Sequence, residues 1–216
     1  MTTYLGSSER DAHRQAGGSA VVLVNLGTPD APTAAALRRY LAEFLWDPRV
    51  VETPRWLWWL ILHGVILRIR PARSARAYAR VWTPAGSPLL TGSRALTAAV
   101  DAELQRRLGA TAPRVVLAMS YGAPNLREVL EELRAQGVRR LLVLPLYPQY
   151  SGSTTASVFD AVTGILRRWR WLPELRFIAD YYREPGYVQA LADSVRQHWA
   201  ARGRGERLLL SFHGIP

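Results

Sequence analysis

The chain has 216 residues, 49% of them hydrophobic, enough to bury a core and to exclude global disorder. It contains no cysteine, so these residues can form no disulfide and supply no thiolate to zinc or to an iron–sulfur cluster. The net charge is +11 and all 28 basic residues are Arg; seven lie between Thr53 and Val100, where no Asp or Glu occurs, a local positive surface suited to an anionic partner.

Met1 to Ser19 is polar, with no apolar core segment, and reads as a disordered tail rather than a signal peptide. Ala20 to Asn25 is an apolar run with the pattern of a strand buried on both faces, followed by the turn Leu26 to Asp30. No G-x-G-x-x-G occurs, which argues against an NAD or FAD fold. Leu37, Tyr40, Leu41, Phe44 and Leu45 recur at helical spacing. Pro54 to Leu62 then carries three Trp in four residues, Trp56, Trp58 and Trp59, and reads either as a buried helix or as an exposed apolar lip. The apolar run from Trp56 to Leu67 has 12 residues, interrupted by His63 and Gly64. A spanning helix needs about 20, so the chain reads as non-spanning and cytoplasmic. In the next helix Arg73, Arg76 and Arg80 share a face, either solvated or set against substrate carboxylates.

Thr91 to Leu108 reads as a helix with Leu96, Val100, Leu104 and Leu108 on one face. Arg114 to Met119 is a second strand, with Tyr121 just beyond it, placed to stack on a planar ligand or to cover the sheet. Asn125 starts a helix striped by Leu126, Val129, Leu130 and Leu133 and closed by Gly137. Leu141 to Pro145 is a third buried strand; Ser153 or Thr154 is the expected N-cap of the helix running from Ala156 to Trp169. The Arg167 to Trp171 cluster is too short to indicate nucleic-acid binding. Leu175 to Ala179 is a fourth strand, and Tyr187 to Trp199 a helix with Val188, Leu191 and Val195 inward and a structural His198. Leu208 to Phe212 reads as a further strand ending at His213, a residue that either caps the strand or projects into a cleft to bind metal or move protons. The alternation of strand and helix implies a doubly wound parallel α/β sheet flanked by helices.

Three stretches carry a resemblance: Ser211-Phe212-His213-Gly214-Ile215-Pro216, the loop Pro148-Gln149-Tyr150-Ser151-Gly152-Ser153-Thr154-Thr155, and the turn Asn25-Leu26-Gly27-Thr28-Pro29. Together they resemble the ferrochelatases, enzymes that insert ferrous iron into a porphyrin. The likeness runs from about Val21 to Pro216. It implies a chelatase-like first domain over residues 20–178, and over 179–216 the start of a second, similar domain that is incomplete here.

By the same resemblance His213 serves as base, iron ligand or both, facing a glutamate in a half not present in this sequence. Arg70, Tyr78, Ser87 and Tyr121 match porphyrin-contacting positions. Trp56, Trp58 and Trp59 match the lip at the pocket mouth, a site of peripheral membrane contact. Asp30 stands where the coproporphyrin branch commonly has Tyr, which leans toward protoporphyrin IX. Iron is then a substrate, and no bound prosthetic group is implied. An imidazole alone makes an open, weak iron site, so this polypeptide is expected to present part of the pocket with little or no turnover. The alternative is a porphyrin- or haem-binding fragment without catalysis.

Overall fold

The computed structural model describes residues 4–6 and 17–211. Four parallel strands form one sheet: β1 (Gly18–Thr28), β2 (Arg114–Gly122), β3 (Val138–Pro145) and β4 (Glu174–Phe177), in the order β2-β1-β3-β4. The helices are α1 (Ala34–Trp46), α2 (Arg55–Ile61), α3 (Leu67–Val81), α4 (Pro88–Leu108), α5 (Leu126–Ala135), α6 (Ser157–Leu166) and α7 (Pro185–Arg202). This is the α/β architecture read from the apolar runs. Residues 4–6 and 17–19, within the expected tail, are instead placed: β1 begins at Gly18, and Leu5 exchanges backbone hydrogen bonds with Arg168 and Arg170 at 2.8 and 2.9 Å.

Strand alternation sorts the two faces. Ala20, Val22 and Val24 of β1, Ala118 of β2, and Leu141 and Val143 of β3 pack against Leu126, Leu130 and Leu133 of α5 and Val158, Val162 and Ile165 of α6. On the opposite face, Leu37, Tyr40, Leu41 and Leu45 of α1 form a second cluster with Leu62, Leu67, Ala75 and Tyr121. Each helix–sheet layer follows from one stripe. The stripe on α5, for instance, is the predicted one, and the Asn125 side chain caps it by accepting from the Arg127 N–H at 2.9 Å.

Two local features depart from helix rules and explain each other. Pro71 lies inside α3, where it has no N–H to give the carbonyl of Leu67 four residues back. Arg38 of α1 fills that gap: its Nε donates to the Leu67 carbonyl at 2.9 Å. The substitution of a side-chain donor for a backbone one satisfies the carbonyl and ties α1 to α3. Between α2 and α3 the chain passes through a π-helical turn, Leu62–Ile66.

Four expectations change. The apolar face expected on α7 is not covered: Val188 and Leu191 are both exposed, and no residue of the helix is buried among the described residues. α4 starts at Pro88, a first-turn proline whose missing N–H costs nothing there. Its Leu96 and Leu108 are exposed, and Ser93 is what it buries. α6 begins at Ser157, after a π-helical turn over Gly152–Ala156, rather than from a Ser153 or Thr154 cap. Leu208 to Ser211 pairs with no strand among the described residues, and Leu209 is 89% exposed. A strand needs a neighbour for its N–H and C=O groups, and these residues have none there.

Candidate active site

In an open parallel sheet the cleft lies beyond the carboxyl ends of the strands, at the point where successive connections leave in opposite directions. With the order β2-β1-β3-β4 that point lies between β1 and β3. The carboxyl ends of β1, β2 and β3 therefore define the site.

The end of β1 is fixed by Asn25. Its Oδ1 accepts from the Leu26 N–H at 2.8 Å, and its Nδ2 donates to the Ser93 hydroxyl at 3.0 Å, drawing the start of α4 over the sheet. Two glycines let β1 and β2 stay paired to their ends. Gly27 has φ +107°, and a Cβ on it would lie 1.8 Å from the Tyr121 carbonyl oxygen; Gly122 has φ +79°, with its Cβ position 2.7 Å from the Thr28 oxygen. Only glycine fits such positions without displacing backbone. The end of β3 is tied to β1 by the Leu146 N–H donating to the Val24 carbonyl at 2.7 Å. The following loop is held by Pro148, whose carbonyl accepts from the N–H groups of Tyr181 and Tyr182 at 3.0 and 3.1 Å.

Aromatic rings gather at these ends. Phe44 stacks with Tyr40 at 6.1 Å between centroids and meets Tyr121 edge-on at 5.3 Å. The Tyr40 hydroxyl donates to the Gly27 carbonyl at 3.3 Å. Burial pushes the phenols of Tyr40, Tyr121 and Tyr147 above their ordinary value, with Tyr78 and Tyr147 adding to the effect on Tyr40. They stay protonated, and act as O–H donors and apolar surface rather than as bases.

Tyr121 is 7% exposed and packs in the α1 cluster; Tyr78, half-buried on α3, packs against the same cluster. The Tyr121 hydroxyl is already engaged, donating to Asp47 Oδ2 at 2.7 Å and lying 3.1 Å from the Ser157 hydroxyl. Its ring is packed against Phe44, so in this structure Tyr121 covers the sheet end more than it faces an open surface. Ser87 is buried at the N-cap of α4, a helix end whose free N–H groups favour a carboxylate. Arg70 stands exposed on α3, outside the aromatic cluster. His213 lies outside the described residues. Among the described residues no group of three or more His, Cys, Asp or Glu side chains is placed to hold a metal.

The three lip tryptophans divide. Trp58 turns inward: its indole N–H donates to the Leu45 carbonyl at 2.7 Å, capping the end of α1. Arg55 lies over the Trp46 ring, 3.8 Å from its centroid, and donates to the Trp46 carbonyl. These contacts fix α2. Trp56 and Trp59, 72% and 51% exposed, face outward with Leu60 and Ile69. Among the described residues no helix is long and apolar enough to cross a membrane.

Sequence reasoning missed Asp47, Ser93 and Ser157. Each acts through partners between 36 and 110 residues away, which no local pattern records.

The sequence model of the ferrochelatase family matches residues 18–216. The chain is 59% identical to the ferrochelatase of Thioalkalivibrio sulfidiphilus over 196 residues, covering 91% of this chain and 53% of that protein. It is 57% identical to the ferrochelatase of Marinobacter nauticus over 204 residues, with 94% and 55% covered, and 54% identical to that of Teredinibacter turnerae over 209 residues, with 97% and 57% covered. The chain thus spans about half the length of the curated relatives it matches. A match running from the first strand through the histidine segment shows that the chain belongs to the ferrochelatase family.

Proposed function

We propose that this chain forms the porphyrin-binding side of an enzyme that inserts ferrous iron into protoporphyrin IX to give protohaem. The observation that carries the reading is the family match across residues 18–216, which includes both the Pro148 to Thr155 loop and the His213 segment. The site chemistry is compatible with it. A porphyrin is flat and apolar, with two propionates at one edge. Phe44 and Tyr78, partly buried against the α1 cluster, offer apolar surface, and Arg70 together with the N-terminus of α4 at Ser87 offers partners for the carboxylates.

Insertion exchanges two pyrrole protons for one ferrous ion. We assign His213 the roles of proton acceptor, iron ligand or both, since a neutral imidazole can do either. Residues 20–178 constitute the first chelatase domain in this reading, and 179–216 open a second. Iron enters as substrate, and the reaction is assigned to the cytoplasm. The binding-only alternative differs in needing no base. Anaerobic addition of ferrous iron and protoporphyrin IX to this chain joined to the second half of a matched relative, which supplies the expected glutamate, separates the two. Protohaem formed above the uncatalysed rate and lost in His213→Ala supports insertion. Porphyrin bound with equal affinity by both proteins and left metal-free supports binding alone.

A second reading concerns the lip. Trp56, Trp59 and Leu60 on α2 and Ile69 on α3 are each exposed, and Arg68 is exposed next to Ile69, the composition of a membrane-surface contact. Trp58 takes no part in it, since its ring is committed to α1. The double variant Trp56→Ser with Trp59→Ser is expected to lower co-sedimentation with anionic vesicles about tenfold or more, from the lost burial of two indoles. Unchanged co-sedimentation would remove the lip from any membrane role.

A further inference from the structure

Asp47 joins its own turn at the end of α1 to two segments distant in sequence. Its backbone N–H donates to the Phe44 carbonyl at the end of α1, and its own carbonyl accepts from Val50 and Val51, both at 3.0 Å. Its carboxylate does more. Oδ1 accepts from the Arg49 N–H at 2.7 Å, which closes the turn leading to the lip helix. Oδ2 accepts from two hydroxyls at once, those of Tyr121 at the end of β2 and Ser157 at the start of α6. One residue away, Arg49 makes a second tie to α6, a bidentate pair with Asp160 at 2.7 and 3.3 Å. That pair is exposed and contributes little. The partly buried Asp47 network, with two hydroxyls converging on one charged oxygen, is the stronger link.

We propose that Asp47 is a positioning residue that holds the Tyr121 ring, at the end of β2, and the base of the Trp lip against the start of α6. The consequence for ligand binding rests on the porphyrin reading above; the consequence for the lip does not. If the lip is fixed from this carboxylate, removing it loosens the segment between Arg49 and Ile61 while leaving the sheet intact. If the same carboxylate orients Tyr121, removing the phenol hydroxyl weakens binding through the same link, and the two losses do not add.

The test compares the 216-residue protein with Asp47→Ala, Asp47→Asn, Tyr121→Phe and the Asp47→Ala with Tyr121→Phe double variant, using two readouts. One is amide hydrogen exchange across residues 48–61, with β1 as internal reference; the other is protoporphyrin IX affinity by quenching of tryptophan fluorescence. Asp47→Ala is expected to speed exchange in the lip segment but not in β1, and to weaken affinity about tenfold, the effect of a lost charge-assisted hydrogen bond. Asp47→Asn keeps a single accepting oxygen, enough for the Arg49 N–H or for the two hydroxyls but not for both, and is expected to restore only part of the loss. The double variant is expected to bind no worse than Asp47→Ala. Unchanged lip exchange and affinity in Asp47→Ala would overturn the proposal, as would additive losses in the double variant. If Asp47→Ala fails to fold, Tyr121→Phe and Ser157→Ala each remove one hydroxyl and carry the same comparison. If the unmodified protein binds no protoporphyrin, the substrate reading falls, and lip exchange alone decides the role of Asp47.

Discussion

Gly27→Ala is expected to destabilise the protein by about 3 kcal/mol or more, since a strained backbone region and an overpacked contact each cost on the order of 1–3 kcal/mol. Both penalties apply at this one position. The φ of +107° is one that residues with a side chain rarely adopt, and the added Cβ would fall 1.8 Å from the Tyr121 carbonyl oxygen. The obstacle is backbone held in register, since Gly27 pairs directly with Tyr121 between β1 and β2. Relief requires the two strands to part at the end where the aromatic residues gather. Gly92, on the exposed side of α4, has no atom within 4 Å of its Cβ position. Gly92→Ala is accordingly expected to be neutral or to stabilise by up to about 1 kcal/mol. Chemical unfolding of the two variants checks the contrast, and a Gly27→Ala protein as stable as its parent would contradict the strand-end geometry.

Arg70→Ala is expected to lower protoporphyrin affinity by about tenfold to hundredfold, the range for losing a hydrogen-bonded charge partner. Two features set the size. Arg70 is exposed on α3 and free to meet a carboxylate entering from solvent, and a guanidinium binds a carboxylate through two parallel N–H groups. Arg70→Lys is expected to recover only part of the loss, because an ammonium is a point charge without that fork. Arg73, equally exposed on the same helix, serves as the comparison: Arg73→Ala should change affinity less than about threefold if it lies on the solvated face. Equal losses at both positions would mean that general positive charge attracts the ligand, with no specific pairing at Arg70.

The sheet and the helices that cover it were legible because their signals are local. Apolar runs mark β1 and β3, and the stripe of Leu126, Leu130 and Leu133 marks the buried face of α5. The Trp lip was legible as a composition but not as a geometry. Nothing in its sequence separates Trp58, which caps α1, from Trp56 and Trp59, which face outward, because the distinction depends on where the α1 carbonyls end. α4 failed differently. Its leucine stripe predicted a buried face, yet Leu96 and Leu108 are exposed and the helix turns Ser93 toward the sheet, where its hydroxyl accepts from the Asn25 amide at the end of β1. The pairing of Arg38 with the carbonyl that Pro71 leaves open, and the convergence on Asp47, join residues 29 to 110 positions apart. Such contacts are set by the folded topology, and periodicity carries no trace of them.

The most direct measurement is a titration of the 216-residue protein with protoporphyrin IX, followed by quenching of tryptophan fluorescence. Saturable binding with one porphyrin per chain, weakened by Arg70→Ala and retained by Arg73→Ala, is the predicted result. Quenching that never saturates, or saturable binding indifferent to Arg70, would contradict a porphyrin site beyond the carboxyl ends of β1 and β3.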